Sequence, residues 1–264
     1  MSDIKGQHHA KRALMIAATG HHNLLLSGPP GSGKTMLLKR LPGLMPDLSI
    51  DEAIETHKIH SIANQTKKTF TYERPFREPH HSASYAGMVG GGRTPQPGEI
   101  SLAHNGILFL DELPEFQRQV LEVLRQPLEE QSITLSRAQY SVDYPANFLC
   151  VAAMNPCPCG YQTDPLTPCT CPPNTIEKYK KKVSGPILDR FDIKIDVPRL
   201  KKTDYDDTQP KTSNTDLKQQ IQTARQTQYH RQKKSNARLS PKELKVHAPV
   251  PEESHHFLAE AVEK

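Results

Sequence analysis

The segment Gly28-Pro-Pro-Gly-Ser-Gly-Lys34-Thr35 constrains this chain more than any other, because it fits the pattern GxxxxGK[ST] in full. An apolar run, Asn23-Leu-Leu-Leu-Ser27, precedes it, and the residues from Lys34 to just before Pro42 read as a helix. Strand, glycine loop and helix in that order make a βα unit whose loop turns backbone N–H groups inward around phosphate oxygens. Glycines are needed there because side chains on the inner wall would collide with the phosphate. Gly28, Pro29, Pro30, Gly31, Ser32 and Gly33 are therefore expected to cradle a nucleotide, ATP, with Lys34 reaching its β- and γ-phosphates. The Thr35 hydroxyl is expected to ligate Mg2+, and the helix N-terminus adds a favourable field for the anion. The bland alternative is a chance glycine-rich turn; the flanking strand and helix weigh against it.

Ile107-Leu-Phe-Leu-Asp111-Glu112 supplies the second half of such a site. A buried strand would carry Asp111 toward the magnesium, and Glu112 would polarise the attacking water. A kinase passing phosphate to a small molecule has less need of a water-activating carboxylate at that place. Two surface acids after a strand are the alternative. A third apolar strand, Phe148 to Met154, ends at Asn155, which could hydrogen-bond the same water or the γ-phosphate. An Asn-Pro pair also often does no more than turn a chain.

The remaining chain is organised around these strands. Gly6 to Thr19 has apolar residues at helical spacing, with Gly20 at the C-cap, and Asp51 to Ala63 reads as another helix. From Lys67 to Asn105, Pro75, Pro79, Pro95, Pro97 and three consecutive glycines (Gly90 to Gly92) argue for loops or a hairpin insertion. A helix is expected from about Glu115 to Glu130, then a hairpin over Ser132 to Pro145 with Arg137-Ala138-Gln139 at its tip. Arg137 there suits a phosphate backbone, or is a simple exposed turn residue. A final strand runs from Phe191 to Val197. The expected division is a core over residues 1–200, a polar linker over 201–216 and a partial helical lid over 217–264, with a basic helix from Leu217 to Lys234 and a further short one.

Hydrophobic residues make up only 35% of the 264, and no apolar run approaches the roughly 18 residues of a membrane span. The N-terminal residues lack the apolar stretch of a secretory leader, so a cytoplasmic protein with no membrane contact is expected. The net charge of +5 mildly favours an acidic partner, and a solvated lysine-rich surface explains it as well. Four of five cysteines fall at Cys157, Cys159, Cys169 and Cys171. Four thiolates in one loop suit tetrahedral Zn2+, although C-x-C spacing is tighter than usual; free thiols or a labile disulfide are the alternatives. The paired histidines, His80-His81 among them, read as solvated loop residues and are assigned no role.

GPPGSGKT, ILFLDE, AAMNP and LDRFD occur in the order and rough spacing of the AAA+ ATPases. GQHHAKRAL, REPHHSAS, VGGGRTPQPGEISLAHNGILFLDELPEF, LRQPLEE, ITLSRAQ and AAMNPCPCGY narrow the likeness. From about Asp3 to Lys264, and most weakly over Lys201 to Thr215, the chain resembles the ComM/YifB branch of the magnesium-chelatase-like proteins. The resemblance implies an α/β P-loop AAA+ core with a parallel sheet flanked by helices, hairpin insertions and a partial C-terminal lid. It implies a homo-hexameric ring in which Arg190, of Leu188-Asp-Arg-Phe-Asp192, completes a neighbour's site; an internal ion pair with Asp189 or Asp192 is the alternative. It places Gly6 and Gln7 near the adenine and implies a DNA motor of the helicase or branch-migration type, acting on single-stranded or branched DNA. A protein-remodelling ATPase like the magnesium-chelatase motor subunit is the other reading, as is a nucleotide-binding module that switches without turnover. Family members carry a domain before this core and a lid helix with a nucleotide-sensing arginine; neither is matched here, so an excised core with weak hydrolysis is expected.

Overall fold

Apolar runs that are hydrophobic on consecutive residues, rather than alternate ones, belong in a sheet covered on both faces. The chain folds this way in a computed structural model that describes residues 1, 4–64, 70–92, 94–137, 140–183, 185–200 and 213–263. In chain order the main elements are α1 (His8–Gly20), β1 (Leu24–Ser27), α2 (Lys34–Leu38), α3 (Ile50–Ile62), β2 (Phe76–Arg77), α4 (Tyr85–Val89), β3 (Gly90–Gly91), β4 (Gln96–Pro97) and α5 (Glu99–Leu102). They continue with β5 (Ile107–Leu110), α6 (Arg118–Val123), α7 (Arg125–Glu130), β6 (Ser132–Arg137), β7 (Tyr140–Pro145) and β8 (Leu149–Met154). The last are α8 (Pro173–Lys181), α9 (Gly185–Leu188), β9 (Ile193–Asp196), α10 (Asn214–Gln232), α11 (Pro241–His247) and α12 (Glu252–Glu263).

Five strands form one parallel sheet in the order β2-β5-β8-β1-β9. Their side chains alternate between two cores. Leu24, Leu26, Ile107, Phe109, Leu149 and Val151 face the α1 side, where Ala10, Ala13, Ala17 and Ala18 let that helix lie close. Leu25, Leu108, Leu110, Cys150 and Ala152 face the side covered by α4, α6 and α7. Because every strand runs the same way, one end of the sheet gathers Gly28, Asp111 and Asn155, while the other gathers Asn23, Asn105 and Asn147. No helix among the described residues is long and apolar enough to cross a membrane.

Several elements differ from the sequence expectation. The Lys67 to Asn105 segment is not loop throughout: Pro75 carbonyl accepts from Ile107 N (2.8 Å), and Phe76-Arg77 then pair with β5 as the sheet's edge. Prolines are tolerated on an edge strand, and two residues are too few to show a period. The same segment adds α4, the small β3–β4 ladder and α5. The expected helix to Glu130 starts at Arg118 and breaks at Leu124. Pro127, which lacks an N–H, falls in the first turn of α7, where that loss is harmless.

The hairpin pairs from Ser132↔Pro145 to Arg137↔Tyr140, so Arg137 closes the ladder; Ala138 and Gln139 lie outside the described residues. Of the expected linker, 201–212 lie outside them too, and its last residues are already helical because Ser213 caps α10 through Asp216 N (3.0 Å). Two helices, α11 and α12, follow α10. α10 lies along α1, burying Ile221 and donating from Gln228 Nε2 to Thr19 O (3.2 Å).

Candidate nucleotide site

The phosphate loop leaves β1 at Gly28, whose N–H donates to Met154 O (3.2 Å). A Cβ there would meet Val197 O at 2.2 Å, so the loop can thread between β8 and β9 only as glycine. Gly31 and Gly33 hold φ of +75° and +92°, the left-handed region that side chains disfavour. The space a Cβ would occupy at Gly31 is open, as a cradle for an anion requires. Ser32, only 2% exposed, has a hydroxyl with no hydrogen-bond partner.

Lys34 is 8% exposed. Its ammonium donates to Gly28 O (2.7 Å), Pro29 O (3.0 Å) and Asn155 Oδ1 (3.3 Å). Burial pulls its pKa below the usual lysine range, opposed by the Asp111 carboxylate. Thr35 Oγ1 donates to Asp111 Oδ2 (2.9 Å), and Asp111 Oδ1 accepts from Glu112 N (2.9 Å). Cis oxygens around octahedral magnesium at about 2.1 Å lie about 3.0 Å apart, so the Thr35–Asp111 pair fits that ion.

Glu112 stands in a left-handed turn (φ 52°), with its side chain 56% exposed toward the loop side of the sheet. Its carboxylate meets His81 Nδ1 at 3.1 Å. In sequence His81 reads as a solvated loop residue; in the structure it touches the candidate base. The strand β2 explains this, because it delivers the chain after Arg77 to the same sheet end as Asp111. The delivery is braced: Arg77 binds Glu99 through two 2.6 Å hydrogen bonds, Glu78 pairs with Lys39 at the end of α2 (2.9 Å), and the His80 ring stacks on His81 at 4.1 Å. Only the two adjacent histidines before a serine-rich turn marked the place in the sequence.

Gln7 also reaches the loop: its Nε2 donates to Ser32 O (3.2 Å) and Pro198 O (2.7 Å). Gly6 and Gln7 both take left-handed backbone angles (55° and 54°) to make that approach. Arg190 is not brought to this chain's own loop. It precedes β9, beside Asn23 at the start of β1, whereas the loop follows β1, roughly 13 Å away at about 3.3 Å per residue. Asn23 Nδ2 donates to Arg190 O (2.9 Å), Asn23 N donates to Asp192 Oδ2 (2.8 Å), and Asn23 Oδ1 accepts from Cys150 N (3.0 Å). The Arg190 guanidinium pairs with Glu129, not with Asp189 or Asp192 as the internal alternative had it. α7, whose end carries Glu129, was not foreseen beside it.

Cys157, Cys159, Cys169 and Cys171 converge with all four sulfurs within 4.8 Å of one another, and none is bridged. Sγ separations of 3.4 Å (157 to 159), 3.7 Å (157 to 169) and 3.6 Å (159 to 169) far exceed a disulfide's ~2.0 Å. Tetrahedral zinc at about 2.3 Å from each sulfur sets them about 3.8 Å apart, so the four thiols fit the ion. Backbone N–H groups of Tyr161 and Thr170 pull the Cys159 thiol down to about 6. The loop bears on the nucleotide site: a Cβ on Gly160 (φ +86°) would lie 2.6 Å from Pro30 and 3.8 Å from Asn155.

Residues 1–205 match the family described as magnesium chelatase, subunit ChlI, and residues 211–264 match that subunit's C-terminal family. The chain belongs to the magnesium chelatase family. Within it, the ComM/YifB branch is its place: identity is 47% over 266 residues to "Competence protein ComM" of Haemophilus influenzae, covering 100% of this chain and 52% of that protein. Identity is 48% over 264 residues to the uncharacterised protein YifB of Escherichia coli, covering 98% and 51%. A magnesium-chelatase 67 kDa subunit of Heliobacterium mobile is more distant, 27% identical over 186 residues, covering 59% and 28%. The chain spans about half the length of the curated relatives it matches. The family's AAA+ fold implies ATP and magnesium.

Proposed function

We propose that this chain is the ATP-hydrolysing core of a DNA motor that works in natural transformation or recombination. The observation that carries the reading is the convergence of Lys34, Thr35, Asp111, Glu112 and Asn155 at one sheet end, in a chain 47% identical to a competence protein. Bound ATP and magnesium supply an activated γ-phosphate. Around it Ser32 and the loop N–H groups bind, and Lys34 exchanges its carbonyl partners for β- and γ-phosphate oxygens. Glu112 takes a proton from water held by Asn155 as the new O–P bond forms and the bridging bond to the β-phosphate breaks, leaving ADP and phosphate. Arg190, remote from its own loop, completes the site of a neighbour in a homo-hexameric ring, where it neutralises growing charge.

The His81 contact holds Glu112 until the segment after β2 is displaced, which gives a pore-facing segment control over hydrolysis. The β6–β7 hairpin and the residues before β5 face the DNA in this reading, and a zinc ion on Cys157, Cys159, Cys169 and Cys171 stiffens the loop against Pro30. ATP turnover measured without DNA, with single-stranded DNA and with branched DNA tests the proposal. Several-fold stimulation by either DNA supports it. Turnover indifferent to both, but raised by a protein partner, replaces it with a remodelling ATPase of the magnesium-chelatase type.

A further inference from the structure

At the sheet end opposite the phosphate loop, the core and the C-terminal helices enclose a polar cavity of about 320 Å³. It draws basic side chains from four separate places: His21 after α1, Arg74 before β2, Arg225 and Lys233 from α10 and its cap, and Arg238 from the turn beyond. A single acid, Glu52, is among the lining residues, and it is already used. Arg74 binds both its oxygens (3.3 and 3.0 Å) and spends its remaining donors on Pro46 O and Asn105 O, each at 2.7 Å, and on Asp47 O (3.5 Å).

Lys234, also at the wall, is paired with Glu243 outside it (2.8 Å). Among the described residues no acid forms an ion pair with Arg225, Lys233 or Arg238.

Three buried nitrogens at this cavity have no hydrogen-bond partner: His21 Nε2, Arg225 Nη1 and Arg238 Nε. His21 is itself only 8% exposed. Buried donors are normally satisfied, and like charges gathered in a half-closed space repel. Burial first, then the guanidiniums of Arg225, Arg238 and Arg74, push the His21 pKa well below the usual histidine range. Burial, then Arg74, likewise lowers Arg225. One arginine is already oriented for a ligand, since Arg238 Nη2 is fixed on Asn147 Oδ1 (3.1 Å) while its Nε stays free. Chloride would leave most of the volume empty and a flat carboxylate offers acceptors in one plane. A tetrahedral oxyanion offers acceptors to donors arriving from different elements.

We propose that this cavity is a second anion site, distinct from the nucleotide loop, that takes a phosphate group and so clasps α10 and the turn after it to the rear of the sheet. The inference does not rest on the motor reading. The phosphate is either free or carried as a monoester, and the test separates the two.

Thermal unfolding is followed at constant ionic strength with rising inorganic phosphate, on the unaltered chain and on Lys34→Ala, which has lost the main phosphate-loop cation. Both should melt higher, saturably, by on the order of 5 °C well above the Kd. Arg225→Met and Arg238→Gln, each relieved of repulsion, should melt at or above the unaltered chain without phosphate and lose the increment. In ¹H–¹⁵N spectra the His21 ring should move with phosphate in the unaltered chain, a readout that does not depend on the variants folding. Thymidine 5′-monophosphate giving the same increment in Lys34→Ala, where thymidine gives none, assigns a monoester; an increment from inorganic phosphate alone assigns the free anion. No saturable increment in Lys34→Ala, or one that survives Arg225→Met and Arg238→Gln together, overturns the site.

Discussion

Lys34 spends its three hydrogen bonds on oxygens of its own loop and Asn155, in a space where burial alone disfavours its charge. A site arranged this way is stable and ready for phosphate oxygens, which offer more charge than carbonyls. Glu112 is in the opposite condition, exposed and held by His81 rather than aimed by a buried network. At the residue scale these two facts make different predictions. Glu112→Gln should keep ATP affinity by calorimetry and lose about 10²–10⁴-fold of turnover. His81→Ala should raise turnover measured without DNA, because it frees the base; an unchanged basal rate would show that the His81 contact restrains nothing. The residues of the phosphate loop were legible in the sequence because their chemistry is contiguous. His81 was not, since its partner is thirty-one positions away and only β2 brings the two together.

Among the elements, the cysteine loop shows most clearly what spacing can and cannot say. Two C-x-C pairs indicated four thiols near one point, and the structure places them at separations that suit zinc. Nothing in the spacing indicated that Gly160, between the pairs, packs on Pro30 of the phosphate loop. Gly160→Ala brings a side chain to a left-handed backbone and into contact with Pro30, at a cost of about 1–3 kcal/mol. Denaturant melts should show that loss, and calorimetry should show weaker ATP binding alongside it. Metal analysis of the purified chain should find about one zinc per chain, and chelation should weaken ATP binding in the same way. Metal-free protein that binds ATP as well as before would separate the loop from the site. The edge strand β2 escaped sequence reading for a simpler reason. Two residues between prolines carry no periodicity, and only the ladder to Ile107 and Leu108 makes them a strand.

Across the whole molecule, the parallel sheet has chemistry at both ends. The motifs that define the loop end were readable in order along the chain. Those of the other end were not, because His21, Arg74, Arg225 and Arg238 are unremarkable one at a time and meet only when α10 docks on α1. Arg190 belongs to that second end as well. If it serves a neighbour's nucleotide, Lys34→Ala and Arg190→Ala chains, each inactive alone, should regain part of the turnover when mixed. A mixed interface then has an intact loop on one side and an intact arginine on the other; no recovery at any ratio would mean that Arg190 acts inside its own chain.

Asn23 gives that arrangement a mechanical meaning. It grips the carbonyl of Arg190, the carboxylate of Asp192 and the Cys150 N–H of β8, and after the four residues of β1 the chain becomes the phosphate loop. In the proposed ring, an arginine drawn toward a neighbour's γ-phosphate would pull on a short rod, buried from Leu24 to Leu26, whose far tip is the subunit's own nucleotide cradle. Adjacent sites in such a ring would need no flexible relay to sense one another's cargo, since one strand's length of backbone would separate what a subunit lends from what it holds.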